Sequence, residues 1–359
     1  MPDAFFPRYV SAMSHRITVM PAGREFTVEP GQNILDAALA AGVSLPYSCK
    51  AGACSTCKAR IVEGTIAQGP HQTDCLSAEE QAQGYALLCC ATAESDLTIQ
   101  ARVVEGVEGI TIRKIPVRVA SLERVIDDVM IVTLQLPASQ RIEFRAGQYL
   151  EFVLKGGERR SYSMASAPHV EGRIELHIRH MPGGLFTDQV FGVKEPALKV
   201  RDILRCELPM GSFFLREGSD KPIIFLASGT GFAPVKAMVE HMVHAGIRRP
   251  VRFYWGGRRP RDLYMDALAR EWAASLPDFE YIPVVSDALA EDHWQGRTGW
   301  VHRAVMEDLP SLAGFQVYAC GAPAMVAAAR HDFIEHCQLP EDEFYADAFT
   351  SLADTANLA

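Results

Sequence analysis

Four cysteines in the first quarter of the chain have the spacing of ligands to an iron–sulfur cluster. Cys49, Cys54 and Cys57 lie within nine residues of one another, and Cys89 follows after 31 further residues. Two irons and two sulfides need four thiolate ligands, and a Cys-x4-Cys-x2-Cys loop with a distant fourth cysteine is typical of a [2Fe–2S] cluster. Such a cluster carries one electron at a time. The sequence therefore predicts one-electron transfer through a metal site made by these four cysteines.

Two other uses of closely spaced cysteines fit the pattern less well. Disulfides are not expected, because Met1 to Met13 lacks the basic and apolar segments of a secretory signal. A structural zinc site usually has two Cys-x2-Cys pairs, and this chain has one. We expect the residues before Met13 to form a frayed extension, with Met13 as an alternative translation start.

The fourth ligand is ambiguous on local grounds, because Cys89 and Cys90 are adjacent. Asp96 follows Cys89 by seven residues, which resembles the end of ferredoxin sequences and selects Cys89. The loop of the first three cysteines is built from small residues, and Gly52 gives it the freedom to turn backbone N–H groups toward sulfur. The remaining thiols are expected to be ordinary small or buried residues: Cys75, Cys90, Cys206 and Cys337.

Length and composition limit the class of protein. A chain of 359 residues should hold two or three domains, and 48% hydrophobic with 22% charged residues is ordinary for a globular protein. No apolar run approaches the roughly 18 residues of a membrane span. The net charge of −9 argues against nucleic acid as a partner. We expect a cytoplasmic protein, since a reducing compartment suits free thiols and a cluster.

Three blocks of different pattern follow one another along the chain. Residues 14–105 read as strand, strand, helix, cluster loop and strand, which predicts a small β-grasp domain. Residues 112–216 contain many short strands with Gly and Pro turns, which predicts an antiparallel β-barrel. Residues 219–350 alternate apolar strands with helices, which predicts an open parallel α/β sheet. The predicted fold is therefore multidomain, α+β and α/β, with a linker around 105–110.

A candidate flavin site lies in the second block. The motif Arg160-x-Tyr162-Ser163 lies on a strand and resembles a flavin-binding motif, which implies a cation for phosphate, an aromatic face for the ring system and a hydroxyl near flavin N5. Alone the motif also fits a partly exposed strand. Downstream, segment 181–187 places two glycines at the start of a helix, whose free N–H groups suit a pyrophosphate. The candidate contacts from this segment are Gly183, Gly184 and Thr187.

A candidate nucleotide site lies in the third block. The loop 229–234 follows a buried strand and precedes a helical pattern, which is the context that phosphate binding requires. A helix-capping turn is the alternative. Cys320 closes a later strand at the edge where open sheets bind ligands, or else is a buried structural cysteine. The candidate contacts are Gly229, Thr230, Gly231, Pro234, Cys320 and Gly321.

Taken in this order, the motifs resemble the ferredoxin–NAD(P)H reductase superfamily with an N-terminal plant-type [2Fe–2S] ferredoxin domain. That group includes reductase components of multicomponent oxygenases and CDP-6-deoxy-3,4-glucoseen reductases. The resemblance covers residues 14–350 and implies FAD, rather than FMN, as the flavin. It implies catalytic roles for Ser163 beside the flavin and for Cys320 beside the nicotinamide. In relatives a terminal aromatic residue covers the flavin; Phe349 is the candidate, although ten residues follow it.

The resemblance also implies a function, namely NADH-dependent electron transfer from NADH to FAD, to the cluster and then to a partner protein. The partner would be a multicomponent oxygenase or a CDP-6-deoxyglucoseen-type dehydrase, and segments 88–90 and 254–260 favour the second. Arg258, Arg259 and Arg261 could hold the 2′-phosphate of NADPH or the pyrophosphate of NADH, or be exposed; the family favours NADH. The alternative function is an electron carrier or docking protein that does not itself oxidise NADH.

Overall fold

The computed structural model describes residues 13–107 and 109–351 and forms two compact units. The first unit holds the described residues up to 107, and the second holds residues 109–350. The expected N-terminal extension lies outside the described residues. Within the described part of the chain, no helix is both long and apolar enough to cross a membrane.

The first unit combines a five-stranded mixed sheet, a two-stranded sheet of β4 and β6, and two short helices. Its elements are β1 (His15–Met20), β2 (Arg24–Val28), α1 (Ile34–Ala40), β3 (Lys58–Glu63), β4 (Ile66–Gln68), α2 (Ala78–Ala82), β5 (Tyr85–Leu87), β6 (Ala91–Ala93) and β7 (Leu97–Gln100). The strand order is β2-β1-β7-β3-β5, in which β1 and β7 are parallel. The helix α1 begins where the Asn33 side chain accepts a hydrogen bond from the Asp36 N–H at 2.7 Å. This is the expected β-grasp arrangement.

The second unit opens with an antiparallel barrel. Its elements are β8 (Arg113–Ile126), β9 (Val129–Gln135), β10 (Tyr149–Val153), β11 (Arg159–Ser163), β12 (Arg173–Arg179), α3 (Thr187–Val190) and β13 (Ile203–Met210). The strand order is β11-β10-β13-β8-β9-β12, and a bridge between Met164 and Leu176 joins the two ends of the sheet. Alternate side chains such as Val132, Leu150 and Phe152 fill the interior. The barrel prediction is confirmed.

The second unit continues as a parallel α/β sheet. Its elements are β14 (Ile223–Ser228), α4 (Phe232–Ala245), β15 (Val251–Gly257), α5 (Asp266–Ser275), β16 (Phe279–Val285), β17 (Arg297–Thr298), α6 (Val301–Asp308), β18 (Gln316–Gly321), α7 (Pro323–Cys337) and β19 (Phe344–Ala348). The order β17-β16-β15-β14-β18-β19 reverses direction at β14. The loops after β14 and β18 therefore flank the crevice where such sheets bind ligands.

Two details differ from the sequence prediction. The predicted strand 116–120 is part of the longer β8, which continues to Ile126 because register shifts keep it paired with β9. The two glycines of segment 181–187 do not open a helix directly, since α3 begins at Thr187 and is four residues long. The domain boundaries 14–105, 112–216 and 219–350 stay predictions.

Candidate functional site

The cluster loop has a backbone that folds tightly around the first cysteine. Lys50, Gly52 and Ser55 have φ angles of 55°, 69° and 57°, in the left-handed region that a non-glycine residue rarely adopts. Two backbone N–H groups of the loop, from Ala51 and Ala53, donate to Cys49 Sγ at 3.4 Å each. Successive N–H groups that converge on sulfur form a concavity suited to an anionic centre.

The four predicted ligand thiols come together in two pairs. Cys49 is hydrogen-bonded to Cys54, which lowers the pKa of Cys54 to about 7 and raises that of Cys49. Cys57 is likewise bonded to Cys89, which lowers the pKa of Cys89 to about 4 and raises that of Cys57. Cys54 also interacts electrostatically with Cys57, so the two pairs are neighbours. This donor set of four converging thiols with inward N–H groups fits a [2Fe–2S] cluster.

The flavin motif on β11 presents its residues on different faces. Arg159 is exposed and paired with Glu151 at 2.6 Å and Glu207 at 2.7 Å. The next residue, Arg160, has its Nη2 buried without a hydrogen-bond partner in the described part of the chain. The Tyr162 ring packs at 5.7 Å from Phe186, and burial raises the pKa of its phenol. A buried guanidinium nitrogen without a partner, on the same strand as this aromatic ring, fits a flavin that carries phosphate.

The turn 181–187 is closed by its own threonine. The Thr187 hydroxyl donates to the Met181 carbonyl oxygen at 2.9 Å and accepts from the Met181 N–H at 3.2 Å. A side chain on Gly184 would overlap the Thr187 hydroxyl, whereas Gly183, with φ of 81°, has open space around it. Gly183 is therefore the accessible point of this turn, and the roles of Gly184 and Thr187 in binding stay predictions.

The nucleotide loop packs directly against the end of β18. Gly229, Thr230 and Gly231 form a single 3-10 turn before α4, and the Trp255 Nε1 donates to the Gly229 carbonyl oxygen at 2.9 Å. A Cβ on Gly231 would lie 2.5 Å from the Cys320 carbonyl oxygen. Pro234 lies in the first turn of α4, where its missing N–H costs no hydrogen bond. The loop therefore requires glycine at position 231, because its backbone lies directly against the backbone of Cys320.

Four predicted or neighbouring residues converge at the ends of β18 and β19. Cys320 is the register partner of Asp347, and its Sγ donates to the Gly231 carbonyl oxygen at 3.1 Å. The Ser163 hydroxyl, from the barrel, donates to Asp347 at 3.0 Å. The Phe349 N–H donates to the Gly321 carbonyl oxygen at 2.8 Å. Burial raises the pKa of the Cys320 thiol well above its ordinary value, and the charge of Asp347 adds to the shift.

Sequence reasoning missed Asp347, which joins the barrel serine to the nucleotide sheet. Its side chain is 5% exposed, which is unusual for a carboxylate. The only signal in the sequence was its position between two alanines in an apolar, strand-like segment, two residues before the predicted Phe349.

Arg179, the last residue of β12, was also missed. Its guanidinium lies beside the nucleotide loop, 3.6 Å from where a Cβ of Gly229 would be. Nη1 pairs with Asp128 at 3.2 Å, but Nε and Nη2 are buried and have no hydrogen-bond partner among the residues described. Buried donors without a partner destabilise the fold unless a ligand accepts their hydrogen bonds. The usable sequence signal was an arginine that ends an alternating strand just before the Pro-Gly-Gly turn.

The three arginines after β15 are not equivalent. Arg259 binds Asp292 through two nitrogens at 2.6 and 2.8 Å and Glu291 at 3.3 Å. This pairing lowers the pKa of Asp292 to about 2. Arg259 is therefore committed to carboxylates. Arg258 and Arg261 are exposed.

Comparisons with known proteins agree with this geometry. Three family models match in succession: a 2Fe-2S iron-sulfur cluster binding domain at 17–94, an oxidoreductase FAD-binding domain at 116–215 and an oxidoreductase NAD-binding domain at 225–331. The chain is 42% identical over 337 residues to a CDP-6-deoxy-L-threo-D-glycero-4-hexulose-3-dehydrase reductase of Yersinia pseudotuberculosis, covering 94% of this chain and 99% of that protein. It is 36% identical over 341 residues to a terephthalate 1,2-dioxygenase reductase component of Comamonas, covering 94% and 98%.

A solved structure extends the likeness to the whole fold. The Amycolatopsis cytochrome P450 reductase GcoB matches with a TM-score of 0.73 and 33% identity, over 94% of this chain and 99% of that one. The chain is an NAD(P)H-dependent iron–sulfur flavoprotein reductase with FAD and a [2Fe–2S] cluster, and it delivers electrons to a partner protein. It belongs to the ferredoxin–NAD(P)H reductase superfamily, among the members with an N-terminal plant-type [2Fe–2S] ferredoxin domain.

Proposed function

We propose that this reductase supplies electrons to a dehydrase that acts on a CDP-6-deoxy-4-hexulose. The observation that carries this proposal is the 42% identity to a reductase of such a dehydrase, over nearly the full length of both proteins. A multicomponent oxygenase is the second candidate acceptor, supported by the 36% identity to a dioxygenase reductase. All nine cysteines are free, which suits a reducing compartment, and we propose the cytoplasm.

The residues of the site have complementary roles in this proposal. When bound, NADH supplies a hydride, FAD takes it up and releases electrons singly, and the cluster carries them one at a time. Arg160 supplies positive charge for the flavin phosphates, and Arg179 supplies it for the nucleotide beside Gly229. We assign Ser163, which donates to Asp347, to the flavin side of the site and the neutral Cys320 thiol to the nicotinamide side. We assign Cys49, Cys54, Cys57 and Cys89 to the cluster.

NADH is the proposed donor. Of the arginines after β15, Arg259 has a fixed position because it pairs with Asp292 and Glu291. Because these carboxylates neutralise it and lie beside it, a 2′-phosphate would gain little attraction there and would face two negative charges. We expect kcat/KM to be at least tenfold higher for NADH than for NADPH. Equal or reversed values, measured with ferricyanide as acceptor, would contradict this assignment.

The electron order can be tested with a cluster-ligand variant. Cys54→Ser should abolish NADH-driven reduction of cytochrome c and largely preserve reduction of ferricyanide, because only the first acceptor needs the cluster. Cys75→Ser is the matched control, since Cys75 is buried near the cluster loop but is not one of the four proposed ligands. Equal loss of both activities in Cys54→Ser would contradict the proposed order of electron transfer. Wild-type protein without flavin or NADH oxidation would support a carrier instead.

The acceptor can be tested by reconstitution. The purified reductase, NADH and a CDP-6-deoxy-4-hexulose-3-dehydrase should together convert the dehydrase substrate, with NADH consumed in proportion to product. A parallel reaction with an aromatic-ring dioxygenase and its substrate measures the second candidate. Faster coupled turnover with the dioxygenase would overturn the proposed partner and leave the reductase activity itself unchallenged.

A further inference from the structure

A fifth thiol lies beside the proposed cluster ligands. Cys90 Sγ is 3.5 Å from Cys89 Sγ, within hydrogen-bond distance for two sulfurs. The backbone fixes this position, because the Cys90 N–H donates to the Leu87 carbonyl oxygen at 2.9 Å and the Gly69 N–H donates to the Cys90 carbonyl oxygen at 2.9 Å. A Cβ on Gly52 would come within 3.0 Å of Cys90 Sγ, so the cluster loop also packs against this thiol.

The direction of the sulfur–sulfur hydrogen bond follows from metal ligation. In the thiol form either sulfur could be the donor. A cysteine that ligates iron is a thiolate and has no proton to give. With Cys89 as a ligand, only Cys90 can donate. Cys89 Sγ also accepts from the Gly52 backbone N–H, so the side-chain donor and the backbone donor act on the same ligand.

We propose that the Cys90 thiol donates a hydrogen bond to the Cys89 ligand and raises the reduction potential of the cluster. Reduction adds negative charge to the iron–sulfur core, and a donor to a ligand sulfur stabilises the more negative state. The Cys90 donor therefore makes the cluster a better acceptor of electrons from the flavin. This inference rests on the proposed assignment of Cys89 as a ligand, and it gives a function to a thiol that the sequence analysis treated as ordinary.

The test is a reduction potential measured on the whole protein. Cys90→Ala removes the donor and should leave the cluster in place, with absorption and iron content like those of the wild type. Its midpoint potential, followed by EPR in a redox titration, should become more negative by about 59 mV, which corresponds to a tenfold change in a one-electron equilibrium. Cys90→Ser keeps an O–H donor and should stay closer to the wild type. Cys75→Ala, which removes a nearby thiol whose Sγ lies 3.8 Å from Gln72 Oε1, should leave the potential unchanged.

Each outcome decides between distinct possibilities. If Cys90→Ala holds a cluster and its midpoint potential equals that of Cys75→Ala, the proposed hydrogen bond is overturned. If Cys90→Ala does not hold a cluster, Cys90→Val, which fills the space without a donor, provides the same comparison; failure of both variants would overturn the proposal in favour of a structural or ligand role. Retention of the cluster in Cys89→Ala would show that Cys90 is the ligand, which also contradicts it. A wild-type protein without a [2Fe–2S] EPR signal would contradict the proposed cluster site itself.

Discussion

Gly231 is the position in the nucleotide loop that tolerates a side chain least. A methyl group there would meet the Cys320 carbonyl oxygen at 2.5 Å, and backbone cannot rotate away as a side chain would. We expect Gly231→Ala to separate the loop from β18, to lower kcat/KM for NADH with ferricyanide by about tenfold or more and to destabilise the fold by roughly 1–3 kcal/mol. Gly218→Ala is the matched control, because nothing lies within 4 Å of its Cβ. Similar kinetics of both variants would show that the loop does not need this close approach.

Arg179 tests whether the two unpaired nitrogens of its guanidinium serve the nucleotide. Two of its nitrogens are buried without a partner in the described structure, beside Gly229. Removing a charged donor from a phosphate costs about 1.5–3 kcal/mol, so Arg179→Met should raise KM for NADH by about tenfold or more, with a smaller change in kcat. Arg173→Met, at the exposed other end of β12, is the control. An unchanged KM in Arg179→Met would mean that its nitrogens face solvent or protein only.

At the scale of elements, β12 connects the barrel to the nucleotide sheet through a buried histidine. His177 Nδ1 lies 2.8 Å from the Tyr264 hydroxyl, and Nε2 lies 2.8 Å from Glu175. A neutral ring can accept from Tyr264 at Nδ1 and donate to Glu175 at Nε2. Burial opposes ionisation of Glu175, but the bond from His177 and the charge of Lys236 outweigh it and lower the Glu175 pKa to about 2.

This connection predicts a pH dependence of stability. Burial lowers the pKa of His177 below its ordinary value, whereas the unfolded chain takes up a proton near pH 6.5. The neutral ring therefore stabilises the fold fully above about pH 6.5, and stability is lost as the pH falls below it, by up to about 1.4 kcal/mol per pH unit. In urea unfolding at pH 7, 6 and 5, His177→Gln should show a shallower loss than the wild type. His331→Gln, at an exposed position, should lose stability with falling pH as the wild type does. The same pH dependence of stability in His177→Gln as in the wild type would contradict the argument.

The sequence could predict elements more readily than the contacts between them. The strand β14 was evident because a short, continuous apolar run such as 223–227 is typical of a buried parallel strand. Asp347 and Arg179 were not evident, because their roles arise from register and packing. Asp347 faces Ser163 across 184 residues of chain, and local patterns carry no information on such a distance. Gly183 and Gly184 were predicted to open a helix, but they lie in a turn before α3, which begins at Thr187 and could not be foreseen as so short.

At the scale of the whole molecule, the chain separates one-electron and two-electron chemistry into different compact units. The four cluster cysteines all lie in the first unit, whereas the flavin motif and the nucleotide loop lie in the second. The two apolar cores described for the second unit use only residues after 109, and one of them extends to Phe349. The second unit therefore has its own packed interior, as independently folding domains do.

This division predicts the behaviour of a fragment that begins at Gly109 and ends at Thr350. Because both cores, Arg160, the turn 181–187 and the nucleotide loop are included, the fragment should fold, bind FAD and oxidise NADH with ferricyanide at a rate within about threefold of the full chain. It should not reduce cytochrome c, since the cluster cysteines are absent. Full-length Cys54→Ser is the matched control, because it lacks a complete set of cluster ligands but keeps the whole chain. A fragment that binds no FAD would show that the first unit is needed to form the flavin site, and one that still reduces cytochrome c would show that electrons can leave directly from the flavin.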